Sequence, residues 1–187
     1  MAKIRLASSA DAEAVARVHV ASWQATYRGL LPDEYLDGLQ WERRYDFWSK
    51  ELARPGITGS QTWVLVSDLG LVGFASAGPA RDSDRHSPKC WELYGIYLLP
   101  DQWGQGNGRR LTDKVLEETP DGVSDVSLWV LAGNRQARGF YERQGFGPDG
   151  HERSDVIGGR EVVEVRYLRT PIQRGIAAEV PRGADSG

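Results

Sequence analysis

The sequence predicts a single α/β domain built on a mixed, largely antiparallel sheet flanked by helices. Three observations carry that prediction. Segments of β-rich composition alternate with segments whose apolar residues recur at three- and four-residue spacing. Two pairs of strand-like runs are split by short turn signals, Asp68-Leu69-Gly70 and Gly158-Gly159, which mark antiparallel hairpins. One strand-like run, Trp91 to Leu98, passes through Pro100 into a glycine-rich loop and then into a helical pattern. The length of 187 residues fits one domain, and a chain this size buries roughly 70% of its unfolded surface, enough for a true core.

The elements follow in order. Ile4 to Ala7 reads as a short strand. Ser8 with Asp11 three residues later opens a helix in the manner of a capping box, with Asp in the usual place of Glu. Ala14, Val18, Ala21 and Ala25 then share one helical face. Pro32 suits the first turn of a second short helix, and a third covers about Trp41 to Leu52, ending near Pro55 and Gly56. Thr62 to Ser67 and Leu71 to Ala77 form the first hairpin. Gly78 to Lys89, with Pro79, Asp82, Asp84, His86 and Pro88 and no period, reads as a loop. Trp91 to Leu98 is the next strand, Gly106 to Glu118 a helix, and the alternation at Val126, Leu128 and Val130 a further strand. A helix follows Asn134. Phe146 and Arg160 to Leu168 supply the last strands. The domain is expected over residues 1–170, with the Gly-, Ala- and charge-rich residues 171–187 as a disordered tail.

Composition removes several function classes. Hydrophobic residues at 40%, charged residues at 26% and a net charge of −3 lack the basic excess that nucleic acid demands. No apolar run approaches the roughly 20 residues of a bilayer span, and the opening Met-Ala-Lys-Ile-Arg-Leu lacks an apolar signal core, so a cytoplasmic location is expected. The single cysteine, Cys90, has no disulfide partner and reads as a small buried hydrophobe. His19, His86 and His151 are scattered without ligand spacing, so no metal is expected. His19, on the first helix, reads as a packed histidine.

The chemistry concentrates in two places. In Tyr94 to Leu111, Gly104, Gly106 and Gly108 allow the backbone to turn with positive φ and to offer successive N–H groups to an anion at a helix N-terminus. Those unsatisfied N–H groups and the helix dipole attract a pyrophosphate, and Arg109 and Arg110 add charge. A Rossmann fingerprint would need a glycine where Arg109 stands, and a P-loop would need Gly-Lys-Ser/Thr. The second place is Asn134 to Phe146. There Asn134 suits an N-cap, Ala137, Phe140, Tyr141 and Gln144 share a face, and Gly145 suits the left-handed residue that closes the helix. Alone, each has an ordinary structural reading: a plain turn, and an amphipathic helix with core aromatics.

Together, in this order and distance, the two motifs resemble the GCN5-related N-acetyltransferase (GNAT) family over about Ile4 to Leu168. The resemblance implies that strands Trp91–Leu98 and Val126–Leu131 are neighbours that splay apart around an acetyl-coenzyme A arm. It places the pyrophosphate on the loop Trp103, Gly104, Gln105, Gly106, Asn107, Gly108 and Arg109. The backbone of Ile96, Tyr97 and Leu98 would pair with pantetheine, and Asn134, Ala137, Phe140 and Tyr141 would flank it. The family's loop commonly opens with Gln or Arg where Trp103 stands here, which puts one side-chain contact in doubt and leaves the backbone contacts.

For catalysis, the resemblance implies the Leu98 N–H as donor to the carbonyl oxygen and Tyr141 as proton donor to the leaving thiolate. Glu92 stands where relatives often carry a catalytic base. Its alternatives are an exposed strand-edge carboxylate or a water relay, and it shares a face with Tyr94 and Ile96 unless a bulge intervenes. Trp23, Tyr27, Arg28, Tyr94 and Trp129 are the expected acceptor-binding surface, with Asp82 and Asp84 available to attract a cationic amine. The text from His19 to Pro32 resembles a widespread bacterial branch of the family. A small-molecule amine, an antibiotic or metabolite, is the expected acceptor; a protein or peptide N-terminus, or a non-catalytic acyl-coenzyme A sensor, are the alternatives. Family habit implies a homodimer.

Overall fold

A computed structural model describes residues 2–53, 59–85 and 87–170. Pro55, Gly56, His86 and the expected tail lie outside the described residues. The chain runs β1 (Lys3–Leu6), α1 (Ala12–Thr26), α2 (Asp33–Asp37), α3 (Trp41–Ala53), β2 (Gln61–Ser67), β3 (Gly70–Pro79), β4 (Cys90–Leu98), α4 (Asn107–Glu117), β5 (Asp125–Leu131), α5 (Arg135–Arg143), β6 (Gly147–Ile157) and β7 (Arg160–Arg169). One seven-stranded sheet has the order β1-β2-β3-β4-β5-β7-β6. Every neighbouring pair is antiparallel except β4 and β5, which run parallel.

Local signals explain most boundaries. The Asp11 carboxylate accepts from the Ser8 N–H at 2.7 Å, closing the expected capping box. Asn134 caps α5, its Oδ1 accepting from the Ala137 N–H at 3.0 Å. Gly145 follows with φ 82°, and Gly158 and Gly159 turn the last hairpin with φ 59° and 80°. Pro32 precedes α2 as its cap and so stands just outside the first turn. The expected α1 stripe is shifted: Val15, Val18, His19 and Ser22 are buried, with Ala12 and Ala16, because α1 is covered by both the sheet and α3.

Two packed layers result. On one face, α1 and α3 cover Val64 and Phe74, with Trp48 edge-on to Phe74 at 5.0 Å. On the other, Leu111 and Val115 of α4 and Tyr141 of α5 pack on Ala75, Leu93, Leu128 and Tyr167. Each fully buried Leu or Val contributes about 1.5–3 kcal/mol. A third cluster, Leu31, Leu36 and Leu131, fixes α2 over β5, joined by Ile157 and Val162 of the last hairpin.

The central junction positions the site. Strands β4 and β5 pair only at Cys90–Asp125, Trp91–Val126 and Glu92–Ser127. Beyond Glu92 they diverge. On its other side β4 pairs Ser76 with Gly95 but Ala77 with Leu93, so Tyr94 is a bulged residue. The bulge reverses side-chain parity: Ile96 and Leu98 lie on the α4 face, whereas Glu92 pairs with Gly78 and lies on the α1 face with Tyr97. The expectation that Glu92, Tyr94 and Ile96 share a face is therefore corrected.

Candidate active site

The fork between β4 and β5 opens into a cleft of about 460 Å³ lined from one end by Gly104, Gly106, Gly108 and Arg109, and from the other by Ser22 and Thr26. Gly104 and Gly106 hold φ 72° and 78°, a region open to glycine at little cost. Gly106 caps α4, so the N–H groups of the first turn, Asn107 to Arg109, have no intrahelical acceptor. Gly108 answers a different need: a Cβ there would meet the Phe140 ring at 3.1 Å. Its absence lets α4 and α5 approach on either side of the cleft mouth.

Backbone polarity along β4 is set by the ladder with β3. The Leu99 N–H donates to the Val72 carbonyl at 3.0 Å, which makes Phe74–Tyr97 a hydrogen-bonded pair and Gly73–Leu98 a non-hydrogen-bonded one. The N–H of Leu98 therefore points into the fork, where β5 no longer pairs. Its carbonyl accepts from the Trp103 indole at 3.2 Å. Ile96 has the same polarity, and both side chains line the cleft. Tyr97 does not: its backbone belongs to the β3 ladder and its ring lies on the opposite face against His19 and Phe74, at 4.6 and 5.0 Å. The expectation that Tyr97 offers its backbone to a ligand is corrected.

On α5, Asn134, Ala137, Phe140 and Tyr141 all line the cleft. Tyr141 is 9% exposed, and burial raises its phenol, with the nearby Tyr97 adding to the effect. It stays protonated throughout the neutral range. Ser22, Thr26, Gln102, Gln136, Arg143 and Gln144 also line the cleft and were not among the expected site residues; Ser22 and Thr26 reach it only through the packing of α1 on the sheet, which no local signal marks.

Several loop side chains are committed elsewhere. Gln105 Nε2 donates to the Asp101 carbonyl at 2.6 Å. The Asn107 amide donates to Gln102 Oε1 at 3.3 Å and is 6% exposed. Arg110 reaches the Ala2 carbonyl at 2.6 Å, away from the cleft. Trp103 and Arg109 do line it, with Arg109 Nε also 3.5 Å from Asp113.

The other side of the sheet is more tightly tied than expected. Glu92 is 1% exposed, so it is not a strand-edge carboxylate. It accepts from the Arg81 N–H at 3.0 Å and from Arg81 Nη2 at 2.5 Å. Arg81 lies 4.1 Å over the Tyr94 ring, whose hydroxyl donates to the Pro79 carbonyl at 2.8 Å; burial pushes that phenol up to about 12. Arg28 is exposed and bridges Asp33 and Asp37 at 3.2 and 2.7 Å, so it ties α1 to α2. Trp129 donates its indole N–H to Asp82 at 3.0 Å, and Arg153 sits 4.2 Å over its ring. Asp82 and Asp84 are themselves held by Arg166, which is 3% exposed and also pairs with Asp149. Of the expected acceptor-binding residues, Trp23 and Tyr27 pack against the Leu31–Leu36–Leu131 cluster, T-shaped to each other at 4.9 Å, and next in sequence to the cleft-lining Ser22 and Thr26. His151 lies 3.3 Å from Asp149; His86 is outside the described residues.

Among the described residues, no cluster of three or more His, Cys, Asp or Glu side chains could hold a metal ion, and no helix is long and apolar enough to cross a membrane.

Comparison with known proteins agrees with this geometry. The profile of the acetyltransferase (GNAT) family matches residues 20–146. The chain belongs to that family. An uncharacterized N-acetyltransferase of Bacillus subtilis, YuaI, is 36% identical over 72% of this chain and 74% of its own. The spermidine N(1)-acetyltransferase of Thermoplasma acidophilum is 27% identical over 83% of this chain and 94% of its own. Among solved structures, PaiA N-acetyltransferase from Thermoplasma acidophilum in complex with coenzyme A superposes with a TM-score of 0.70 at 22% identity, covering 91% of this chain and 99% of that one. As a GNAT protein the chain is an N-acetyltransferase that uses acetyl-coenzyme A as acyl donor. The residues present fit that donor. The glycine cradle supplies unpaired N–H groups for phosphate, and the unpaired amides of Ile96 and Leu98 suit an extended arm carrying its own amides.

Proposed function

We propose that the protein transfers an acetyl group from acetyl-coenzyme A to the primary amine of a small molecule, directly and without an acyl-enzyme. The observation that carries this reading is the continuous cleft from the left-handed glycines to Tyr141, with the Leu98 N–H aimed into the fork beside it. Acetyl-coenzyme A supplies an activated carbonyl at the end of the cleft away from the glycines, beside Tyr141.

The chain's own groups then divide the work. The Leu98 N–H donates to the carbonyl oxygen as negative charge grows on it. The amine nitrogen forms the new C–N bond, the C–S bond breaks, and Tyr141, kept protonated by burial, gives its proton to the departing sulfur. The amine's surplus proton leaves through water and restores the phenol. Glu92 is not assigned the base role: both its carboxylate oxygens are taken by Arg81, and it does not line the cleft. It instead holds Arg81 and the loop after β3 at the fork. The spermidine N(1)-acetyltransferase among the relatives supports a small amine as acceptor.

The test is release of free thiol from acetyl-coenzyme A across a primary-amine panel, with Tyr141→Phe alongside. Turnover by the parent protein, lowered about 100-fold in the variant at unchanged coenzyme A affinity, is expected. Binding of the donor with no thiol release for any amine would leave a sensor.

A further inference from the structure

On the acceptor side of the sheet, α1 and α3 each present two residues one helical turn apart, His19 with Trp23 and Arg44 with Trp48. The Trp48 indole donates to His19 Nδ1 at 3.0 Å. With Nδ1 an acceptor, the neutral imidazole carries its proton on Nε2. Burial with the nearby Arg44 charge lowers the imidazole to about 3, so it stays neutral at physiological pH. His19 is 7% exposed, and its Nε2 is buried without a partner. Trp23 Nε1, also buried, faces the Tyr97 hydroxyl, which serves as its acceptor. One buried donor, His19 Nε2, therefore stands unused in the corner, beside the Trp23 ring 5.7 Å away.

A cation completes the corner. Arg44 lies 5.3 Å over the Trp23 ring and makes no ion pair among the described residues. Its charge reaches both His19 and Tyr97. By contrast, the carboxylates that a polycationic acceptor would seek are already held by arginines: Glu92 by Arg81, Asp82 and Asp84 by Arg166, and Glu164 by Arg153.

Resting on the proposed acetyl transfer, we infer that Arg44, His19 and Trp23 form an oxyanion-holding corner that selects amines bearing a carboxylate or similar anionic group, the amino-acid class. The guanidinium supplies charge, the His19 Nε2–H supplies a hydrogen bond that has no other acceptor, and the Trp23 ring holds the guanidinium in place. Tyr97, stacked on His19 at 4.6 Å and close enough to Tyr141 to influence its phenol, separates this corner from the acyl-transfer point. An acceptor anchored by its anionic group thus presents its amine toward the fork. A protein N-terminus, which has no adjacent carboxylate, does not use the corner.

The experiment compares matched acceptors by thiol release: phenylalanine against phenethylamine, and 4-aminobutyrate against propylamine, with spermidine as a polycation. A preference of about 10- to 100-fold in kcat/KM for the carboxylated partner of at least one pair is expected, the range of one charged hydrogen bond. Arg44→Gln should bring that ratio near one, chiefly through KM, and Arg44→Lys should restore part of it. Equal or better use of the carboxylate-free amines or of spermidine, or a ratio unmoved by Arg44→Gln, overturns the inference. If acetyl-coenzyme A binds but no amine is turned over, the acetyl-transfer reading fails by itself. The corner is then decided by calorimetry of phenylalanine and 4-aminobutyrate on the coenzyme A-loaded protein. Binding lost in Arg44→Gln supports it, and no binding to the parent protein overturns it.

Discussion

Arg81 holds the buried carboxylate of Glu92 with both its backbone N–H and its guanidinium. The two ends of the pair differ: Glu92 is 1% exposed and the Arg81 side chain 60%. Removing Arg81 leaves a buried charge with one remaining backbone donor, and solvent replaces only part of what is lost. Arg81→Ala should destabilise the fold by about 1–3 kcal/mol, read by urea unfolding. Glu92→Gln should be milder, and should retain a pH–rate profile of unchanged shape if Glu92 is not the base.

Gly106 has φ 78° and open space where a Cβ would stand, so its requirement is conformational alone. Gly106→Ala should cost about 1–2 kcal/mol of local strain, and because Gly106 caps α4 the cost should appear as weaker coenzyme A binding, about 10-fold by calorimetry.

His19 gives the stability a pH dependence. Its folded value of about 3 lies below the ordinary imidazole value of 6.5, so the unfolded chain binds more protons across that interval. Stability from this group is therefore complete above pH 6.5 and falls toward pH 3, by up to about 1.4 kcal/mol per pH unit. Urea unfolding at pH 4.5 and 7 should show the difference, and His19→Phe should flatten it.

Arg166 is the common partner of Asp82, Asp84 and Asp149. Arg166→Met should leave those carboxylates facing one another beside Trp129 and cost about 3–5 kcal/mol. Recovery of stability on lowering pH toward 4, as the carboxylates take up protons, separates charge repulsion from lost packing.

Local chemistry accounts for what the sequence made legible. Asn134 and Gly145 bound α5, Gly104 and Gly106 shape the loop, and Gly158-Gly159 turns the hairpin, because each requirement is met by its own residue or a close neighbour. The surroundings of the fork were less legible. The bulge at Tyr94 arises from register with β3, and it moved Glu92 to the face opposite Ile96. Arg166 meets Asp82 and Asp84 across more than 80 positions, and charged residues that look free in a linear reading are partnered in the fold. The unpaired Nε2 donor of His19 depends on the α1–α3 contact, which no spacing within either helix reveals.

The short parallel pairing of β4 with β5 has a mechanical consequence. A seven-stranded sheet joined at its middle through three residue pairs is two plates, β1 to β4 and β5 to β7, sharing a narrow seam. An extended guest whose amides bridge the diverging edges adds the missing rungs, so loading the donor fastens the plates together. Amide protons of Val163 and Val165 in β7, one strand beyond the fork, become the natural reporters of that tightening.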